Sequence, residues 1–262
     1  FSSFSTIAFA PVDYDGNGVS DLMIGDPSYN SNRGRVLMKD NNGSGAFSDN
    51  AQSPASGNSG ERLGSALLGA DLNRDLHDDL VMCGTGINGG TGGCRVFPGA
   101  PRTILPAGLD VVSQGTLLPG SATLGYGDAP PVAGDFRGDG GLDPAVPSIA
   151  ADRVVAWDGD ISNLKSTAQT PSLLGSANSN EFFGTAIVMY DVNGDGKDDM
   201  LVGAPGYDAG LGGATGDGAV FAFAGDTTFS STPSWTQVAT GTDGGFGSSI
   251  AVGRFYNASG LV

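Results

Sequence analysis

The chain has 262 residues, with 28 acidic against 12 basic for a formal net charge of −16, and 45 of its residues are glycine. The acids are 26 Asp and two Glu, while Lys occurs three times and Gln four, an inventory poor in helix formers and rich in turn formers. That balance excludes a grip on nucleic-acid phosphates or an anionic membrane surface, which need Lys and Arg. A composition of 39% apolar residues, 13 of all residues being Phe, is too apolar for a disordered chain, and no 18-residue apolar run offers a membrane-spanning helix. The expected fold class is all-β. Phe1 follows neither an initiator Met nor a signal peptide and reads as a processed or excised end.

In chain order, the first recognisable element is a turn, Asp13-Tyr-Asp15-Gly-Asn17-Gly-Val-Ser-Asp21, followed by the apolar runs Leu22 to Gly25 and Gly34 to Met38. Glu61 and the pair Leu63-Gly64 open a second unit, with the turn Asp71-Leu-Asn73-Arg-Asp75-Leu-His-Asp-Asp79 and the runs Leu80 to Cys83 and Cys94 to Phe97. Leu124-Gly125 opens a third, carrying Asp135-Phe-Arg137-Gly-Asp139-Gly-Gly-Leu-Asp143 and the run Arg153 to Trp157. Glu181 and Phe183-Gly184 open a fourth: the run Thr185 to Tyr190, the turn Asp191-Val-Asn193-Gly-Asp195-Gly-Lys-Asp-Asp199, then Met200 to Gly203 and Gly218 to Phe223. Phe246-Gly247 opens a fifth, with a strand predicted over 248–255 and an eroded turn in which Arg254, Tyr256 and Ala258 replace the acids.

The turns start at 13, 71, 135, 191 and 254, a period near 60 residues, and such self-similarity is the mark of a repeat architecture. The repeats run approximately over 1–60, 61–121, 122–180, 181–243 and an incomplete 244–262, within one region spanning 1–262. Each holds short β-branched and aromatic runs bounded by Gly, Pro, Asp and Asn, and four strands per period is the content of a β-propeller blade of antiparallel strands. The first two runs lack clean alternation, as expected of inner strands covered on both faces. Glu61 and Glu181 stand three residues before the Gly of their apolar-Gly pairs and read as structural acceptors of backbone N–H groups at a blade junction.

Within each intact turn, oxygen-bearing side chains occupy positions 1, 3, 5 and 9, with the carbonyl of position 7 between them, and Gly at position 4 or 6 permits a sharp path. Alternate spacing in a tight turn aims these oxygens at one centre, which suits calcium, a hard cation of flexible geometry. An EF-hand uses the same positions but needs a Glu at position 12 and flanking helices. Position 12 here is Ile24, Met82 or Val202, each inside a predicted strand.

The apolar-Gly start, the Asp-x-(Asp/Asn)-x-(Asp/Asn)-Gly-x-x-Asp turn and the Gly203-Ala204-Pro205 finish, varied as Gly25-Asp26-Pro27, resemble FG-GAP repeats, the units of the integrin α-subunit β-propeller and related extracellular propellers. The resemblance extends over essentially the whole chain. It implies a seven-bladed ring, of which this chain carries four blades and the first strand of a fifth, the remainder coming from a longer polypeptide or another subunit. It also implies about three Ca2+ sites. The ligands would be Asp13, Asp15, Asn17, the Val19 carbonyl and Asp21 in the first loop, and Asp71, Asn73, Asp75, the His77 carbonyl and Asp79 in the second, which lacks Gly at positions 4 and 6. In the fourth they would be Asp191, Asn193, Asp195, the Lys197 carbonyl and Asp199. The third departs from the pattern: Arg137 at position 3, beside Asp135, Asp139 and Asp143, makes an internal salt-bridge cluster the expected replacement for an ion. Arg137-Gly138-Asp139 also spells the tripeptide that integrins recognise, and the simpler reading is a degenerate metal loop.

Cys83 and Cys94 end one predicted strand and begin its antiparallel neighbour, so a disulfide closing the Gly-rich connection is expected, with two buried thiols as the alternative. A disulfide points to a secreted, cell-surface or periplasmic protein. Asn42-Gly43-Ser44 and Asn257-Ala258-Ser259 are glycosylation sequons. The single histidine, His77, lies in a metal-type loop, which leaves no Ser/His/Asp set and predicts a protein that is not an enzyme. The expected function is an adhesion or protein-interaction module; the alternatives are a lectin-like propeller or, third, the propeller of a polysaccharide-acting enzyme. The ligand loops by resemblance lie on the face away from the metals: Asp26 to Arg33, Gly84 to Gly93 and Ala204 to Asp217, with Tyr29 and Tyr207 as aromatic anchors.

Overall fold

The computed structural model describes residues 8–44, 46–49, 58–100, 116–118, 127–159, 172–174, 180–208, 216–239, 244–253, 256–257 and 260–261. They form four four-stranded antiparallel sheets, each built from consecutive strands paired in sequence order. The first holds β1 (Phe9–Val12), β2 (Asp21–Asp26), β3 (Arg35–Asn41) and β4 (Phe47–Asp49); the second holds β5 (Ala66–Ala70), β6 (Asp79–Gly84), β7 (Gly93–Phe97) and β8 (Thr116–Leu117). The third holds β9 (Val132–Gly134), β10 (Asp143–Ser148), β11 (Arg153–Ala156) and β12 (Ser172–Leu174). The fourth holds β13 (Ala186–Tyr190), β14 (Asp199–Ala204), β15 (Ala219–Phe223) and β16 (Trp235–Val238). Two short strands, β17 (Tyr256–Asn257) and β18 (Gly260–Leu261), pair with each other. Among the described residues helix is confined to single turns, as the shortage of Glu, Lys and Gln predicts.

Successive sheets pack face to face, with their first strands as neighbours. Val12, Met23 and Val36 of the first sheet meet Leu67, Leu80 and Met82 of the second. Val81 and Val96 of the second meet Val146, Val155 and Trp157 of the third. Phe136 and Val154 of the third meet Phe183, Val202 and Phe221 of the fourth. Strands β6 and β10, in the two middle sheets, are therefore buried along their whole length; β15 of the fourth sheet is buried along its length as well. The outer sheets differ. Strand β1 alternates, with Phe9 59% exposed, and β13 is half-buried throughout, because each has a packed sheet on one face among the described residues.

The apolar-Gly pairs are the joints between sheets. Gly34 and Leu63 form a parallel bridge from the β2–β3 connection of the first sheet to the entry of the next, and Gly218 and Phe246 repeat it from the fourth sheet. A Cβ on Gly25 would lie 2.1 Å from the Gly64 carbonyl oxygen, and one on Gly203 1.9 Å from that of Gly247, so the backbones touch where only Gly fits. In the second and fourth sheets the apolar residue of the pair is a plug: Leu63 is buried, and Phe183 is fully buried, with its ring 5.6 Å from Phe221 and edge-on to Phe223 at 6.3 Å, whereas Phe246 is exposed. The carboxylate of Glu61 accepts the Asn58 N–H at 2.9 Å, and at the joint itself the carbonyls of Glu61 and Glu181 accept Gly86 and Gly206 N–H groups. The strand predicted over 248–255 is corrected: residues 248–253 form none, since only the Gly218–Phe246 bridge pairs this segment and an unpaired strand has no ladder to hold it. The Leu124-Gly125 pair, Arg254 and Ala258 lie outside the described residues.

Cys83 and Cys94 face each other across β6 and β7 and form a disulfide, both buried. It closes a loop of 11-residue separation around the Gly-rich turn at Ile87–Gly90. Replacing both with Ala should lower the unfolding free energy by roughly 2–3 kcal/mol in urea titration, the loop-closure entropy of so short a ring; a loss under about 0.5 kcal/mol would show that the unfolded chain is not constrained by the bond.

Candidate metal centre

All four Asp turns lie between the first and second strands of their sheets and share one backbone. Positions 4 and 6 are left-handed in each: Gly16, Gly138 and Gly194 at φ +68, +68 and +82, and Gly18, Gly140 and Gly196 at +83, +85 and +86. The second loop follows the same path without glycine, holding Arg74 at φ +61 and Leu76 at +70. The position-1 carboxylate makes that path. Asp13 accepts the Asn17 and Gly18 N–H groups at 3.0 and 2.9 Å, Asp71 those of Asp75 and Leu76 at 3.1 and 3.0 Å, Asp135 those of Asp139 and Gly140 at 3.0 and 2.9 Å, and Asp191 those of Asp195 and Gly196 at 3.2 and 3.0 Å. Position 5 repeats the device on position 7: Asn17, Asp75, Asp139 and Asp195 accept the N–H of Val19, His77, Gly141 and Lys197 at 2.8–2.9 Å.

Position 9 opens the second strand and ties the turn to the third. Asp21, Asp79, Asp143 and Asp199 are buried, and each Oδ1 accepts an N–H from the end of the third strand or just past it: Asn41 at 2.8 Å, Gly99 at 3.0 Å, Gly159 at 2.9 Å and Gly225 at 3.0 Å. Burial pushes the Asp21 carboxyl up to about 6 and Asp79 up to about 7, partly offset by these backbone donors and reinforced by the neighbouring loop acids. Asp143 is raised by the same burial.

A positive or donor group stands among the acids of three loops. In the third, Arg137 pairs with Asp139, Asp143 and Asp158, its Nε 3.3 Å from Asp143. The expected salt-bridge cluster is thus present, with Asp158 as a member that the sequence does not mark and Asp135 bound to backbone instead. The Gly141 N–H, with Arg137 and Arg74, holds the Asp139 carboxyl below the ordinary range. In the fourth loop the Asn193 amide nitrogen donates to Asp195 and Asp199, both at 3.1 Å, and in the second Asn73 donates to Asp75 at 3.0 Å and Asp79 at 3.4 Å. In the first, Asn17 at position 5 turns its amide to the Asn41 carbonyl at 3.0 Å. Among the described residues no three Asp, Glu, His or Cys side chains stand closed up as a ready metal site. The donor set is nevertheless all oxygen, with three carboxylates per loop, and fits a hard cation once the amides turn.

Two further anchors resolve differently. Tyr29 is exposed with the Arg35 guanidinium 4.0 Å over its ring, whereas Tyr207 packs edge-on against Phe221 at 5.3 Å and belongs to the core. The side chain of Arg137 is committed to three carboxylates and does not present a free Arg-Gly-Asp tripeptide. His77 lays its ring on Gly16 of the first loop, with Nδ1 3.0 Å from the Asp75 carbonyl. Asp78 and Asp198 also reach into neighbouring loops, a role visible in the sequence only as an Asp recurring at position 8, where the other loops have Ser20 and Leu142.

Leu76 is 84% exposed and held at φ +70 by its loop alone. Leu76→Gly should raise stability by about 0.5–1 kcal/mol, the left-handed strain relieved less the entropy glycine adds to the unfolded chain; a destabilised variant in urea titration would mean that the leucine side chain contributes contacts.

Residues 183–223 match the FG-GAP repeat family. No curated protein sequence matches the chain. Among solved structures it is similar to a lectin from Agrocybe aegerita, described for its specific recognition of non-reducing terminal N-acetylglucosamine, at 16% identity and a TM-score of 0.50 over 89% of this chain. The match takes in 52% of the lectin, so the chain spans about half its length. That likeness concerns the fold. From its Phe183-Gly184 entry, through the loop of Asp191 to Asp199, to the end of β15, the chain carries an FG-GAP repeat.

Proposed function

We propose that the chain is part of a β-propeller of FG-GAP blades, a calcium-loaded, non-catalytic binding module outside the cytoplasm that takes a protein ligand on the face opposite its Asp loops. The carrying observation is Arg137: in a loop with the same backbone as the other three, a fixed cation sits between the position-5 and position-9 acids. The second and fourth loops offer only amide donors there, and the first lacks even that. Calcium supplies the missing charge in those three and stiffens the hairpin between the first two strands of each blade.

The ring is supported by its end faces. Tyr14, Leu72 and Phe136 at position 2 are buried between sheets, while Val192 in the fourth loop is 51% exposed, beside Trp235 at 51%. A further blade on the fourth sheet, and another on the Phe9 face of the first, complete the burial; a longer polypeptide or another subunit would provide them. The disulfide fits an oxidising compartment, and therefore a secreted, surface or periplasmic site. The single histidine is engaged within the loops, which favours binding over catalysis. On the ligand face, the Asp26–Arg35 pair at 3.2 Å and the Arg35–Tyr29 stack hold an exposed aromatic rigid, a good anchor for a partner. A glycan ligand is the second reading, favoured by the similarity to a lectin fold. Glycan-array binding that requires calcium would decide for that reading; calcium-dependent capture of a protein partner with a blank array would decide for the first.

Calcium and pH should act together. With carboxyls at about 6 and 7 against an ordinary 3.8, the metal-free folded chain binds more protons than the unfolded chain between about pH 4 and 7, so its stability falls as pH rises through that window. In chelator the protein should melt lower at pH 7.5 than at pH 5. Calcium at about 100 times its dissociation constant should add roughly 2.7 kcal/mol per site and reverse the order, since only ionised carboxylates bind it. Asp79→Asn should flatten the metal-free dependence and remove one site. Equal melting temperatures with calcium and with chelator at pH 7.5 would refute the calcium reading.

A further inference from the structure

We infer that Asp78 is a positioning residue for the ion site of the preceding sheet, clamping Asp13, the first ligand of the first loop, from the second. The inference rests on the calcium reading of that loop. Asp78 stands at position 8 of its own loop, outside its ligand set. Its Oδ2 accepts the Asp13 N–H at 2.8 Å, and its own N–H donates to the Asp13 carbonyl at 2.9 Å. Two opposed hydrogen bonds fix the peptide planes on both sides of the Asp13 Cα, and with them the direction in which its carboxylate leaves the chain. The residues are 65 apart in sequence, so this is a contact between sheets.

The same clamp recurs between the third and fourth loops, where Asp198 takes the Asp135 N–H at 2.9 Å and donates to its carbonyl at 2.9 Å. Beside each clamp a position-7 side chain rests on a position-4 glycine of the preceding loop. A Cβ on Gly16 would meet the His77 ring at 2.6 Å, and one on Gly138 would meet Lys197 Cγ at 2.6 Å. Between the second and third loops position 8 is Leu142, which cannot accept, and the fit is inverted. The glycine is now Gly141 at position 7, the long side chain is Arg74 at position 4, and Arg74 reaches Asp139 at 2.6 Å across it. Each consecutive pair of loops is therefore tied.

Asp198 steadies a loop that already holds Arg137, so the effect on ion binding concentrates at Asp78. Partners that orient a metal ligand without touching the metal change affinity by roughly 10–100-fold when removed. In a chain carrying Asp71→Asn and Asp191→Asn, which weaken the second and fourth sites, the first loop is the remaining strong site. Titration with a competing chelator should show Asp78→Ala weakening that site at least tenfold, and Asp78→Asn, which keeps an acceptor oxygen, restoring it to within a few-fold. Amide exchange at Asp13, measured without calcium, should be faster in Asp78→Ala and protected in Asp78→Asn. An undiminished calcium affinity in Asp78→Ala, or unchanged exchange at Asp13, overturns the inference. A parent chain that binds no calcium defeats the calcium reading instead, and the exchange measurement then decides the clamp by itself.

Discussion

Three carboxylates inside a nine-residue turn repel one another, and burying the last of them sharpens that repulsion because less water screens it. The backbone of the turn is arranged around relieving it. Backbone N–H groups take up one side of each acid, left-handed residues at positions 4 and 6 turn those N–H groups inward, and the space left between the acids calls for positive charge. The position-9 acid carries the consequence outward: as the first residue of the second strand and an acceptor for an N–H beyond the third, it makes the electrostatics of the turn a condition for the register of the sheet.

Much of this was legible beforehand. The period near 60, the four strands per repeat and the pairing of Cys83 with Cys94 follow from spacing and apolar runs, because strand alternation and turn chemistry are local properties. The salt-bridge role of Arg137 was legible as well, since a cation at a ligand position can do little else. Three things were not. Asp158 joins the Arg137 cluster from a turn after the third strand, a contact that depends on how the sheet folds back. Tyr207 looked like a surface anchor but packs edge-on against Phe221 of β15, a contact that depends on where its ring turns. Asp78 and Asp198 act on other sheets, and no pattern within one repeat can show what it touches in the next.

The glycines divide by the same logic. Those in the Asp turns supply backbone geometry, which Arg74 and Leu76 show can be imposed on other residues. Those at Gly25 and Gly64, or Gly203 and Gly247, supply absence of volume: two backbones meet with no room for a methyl group. A substitution at the first kind costs strain, while one at the second drives adjacent sheets apart and exposes the plugs, such as Phe183, that hold them together.

The guanidinium in the third loop shows that the turn's path does not depend on which group stands at position 3: the backbone is the same with Arg137 there as with Asp15, Asn73 or Asn193. On the calcium proposal, a charge carried by the chain would do in this loop what an ion drawn from solution does in the other three, so a chelator would loosen those three hairpins and leave this one as it is.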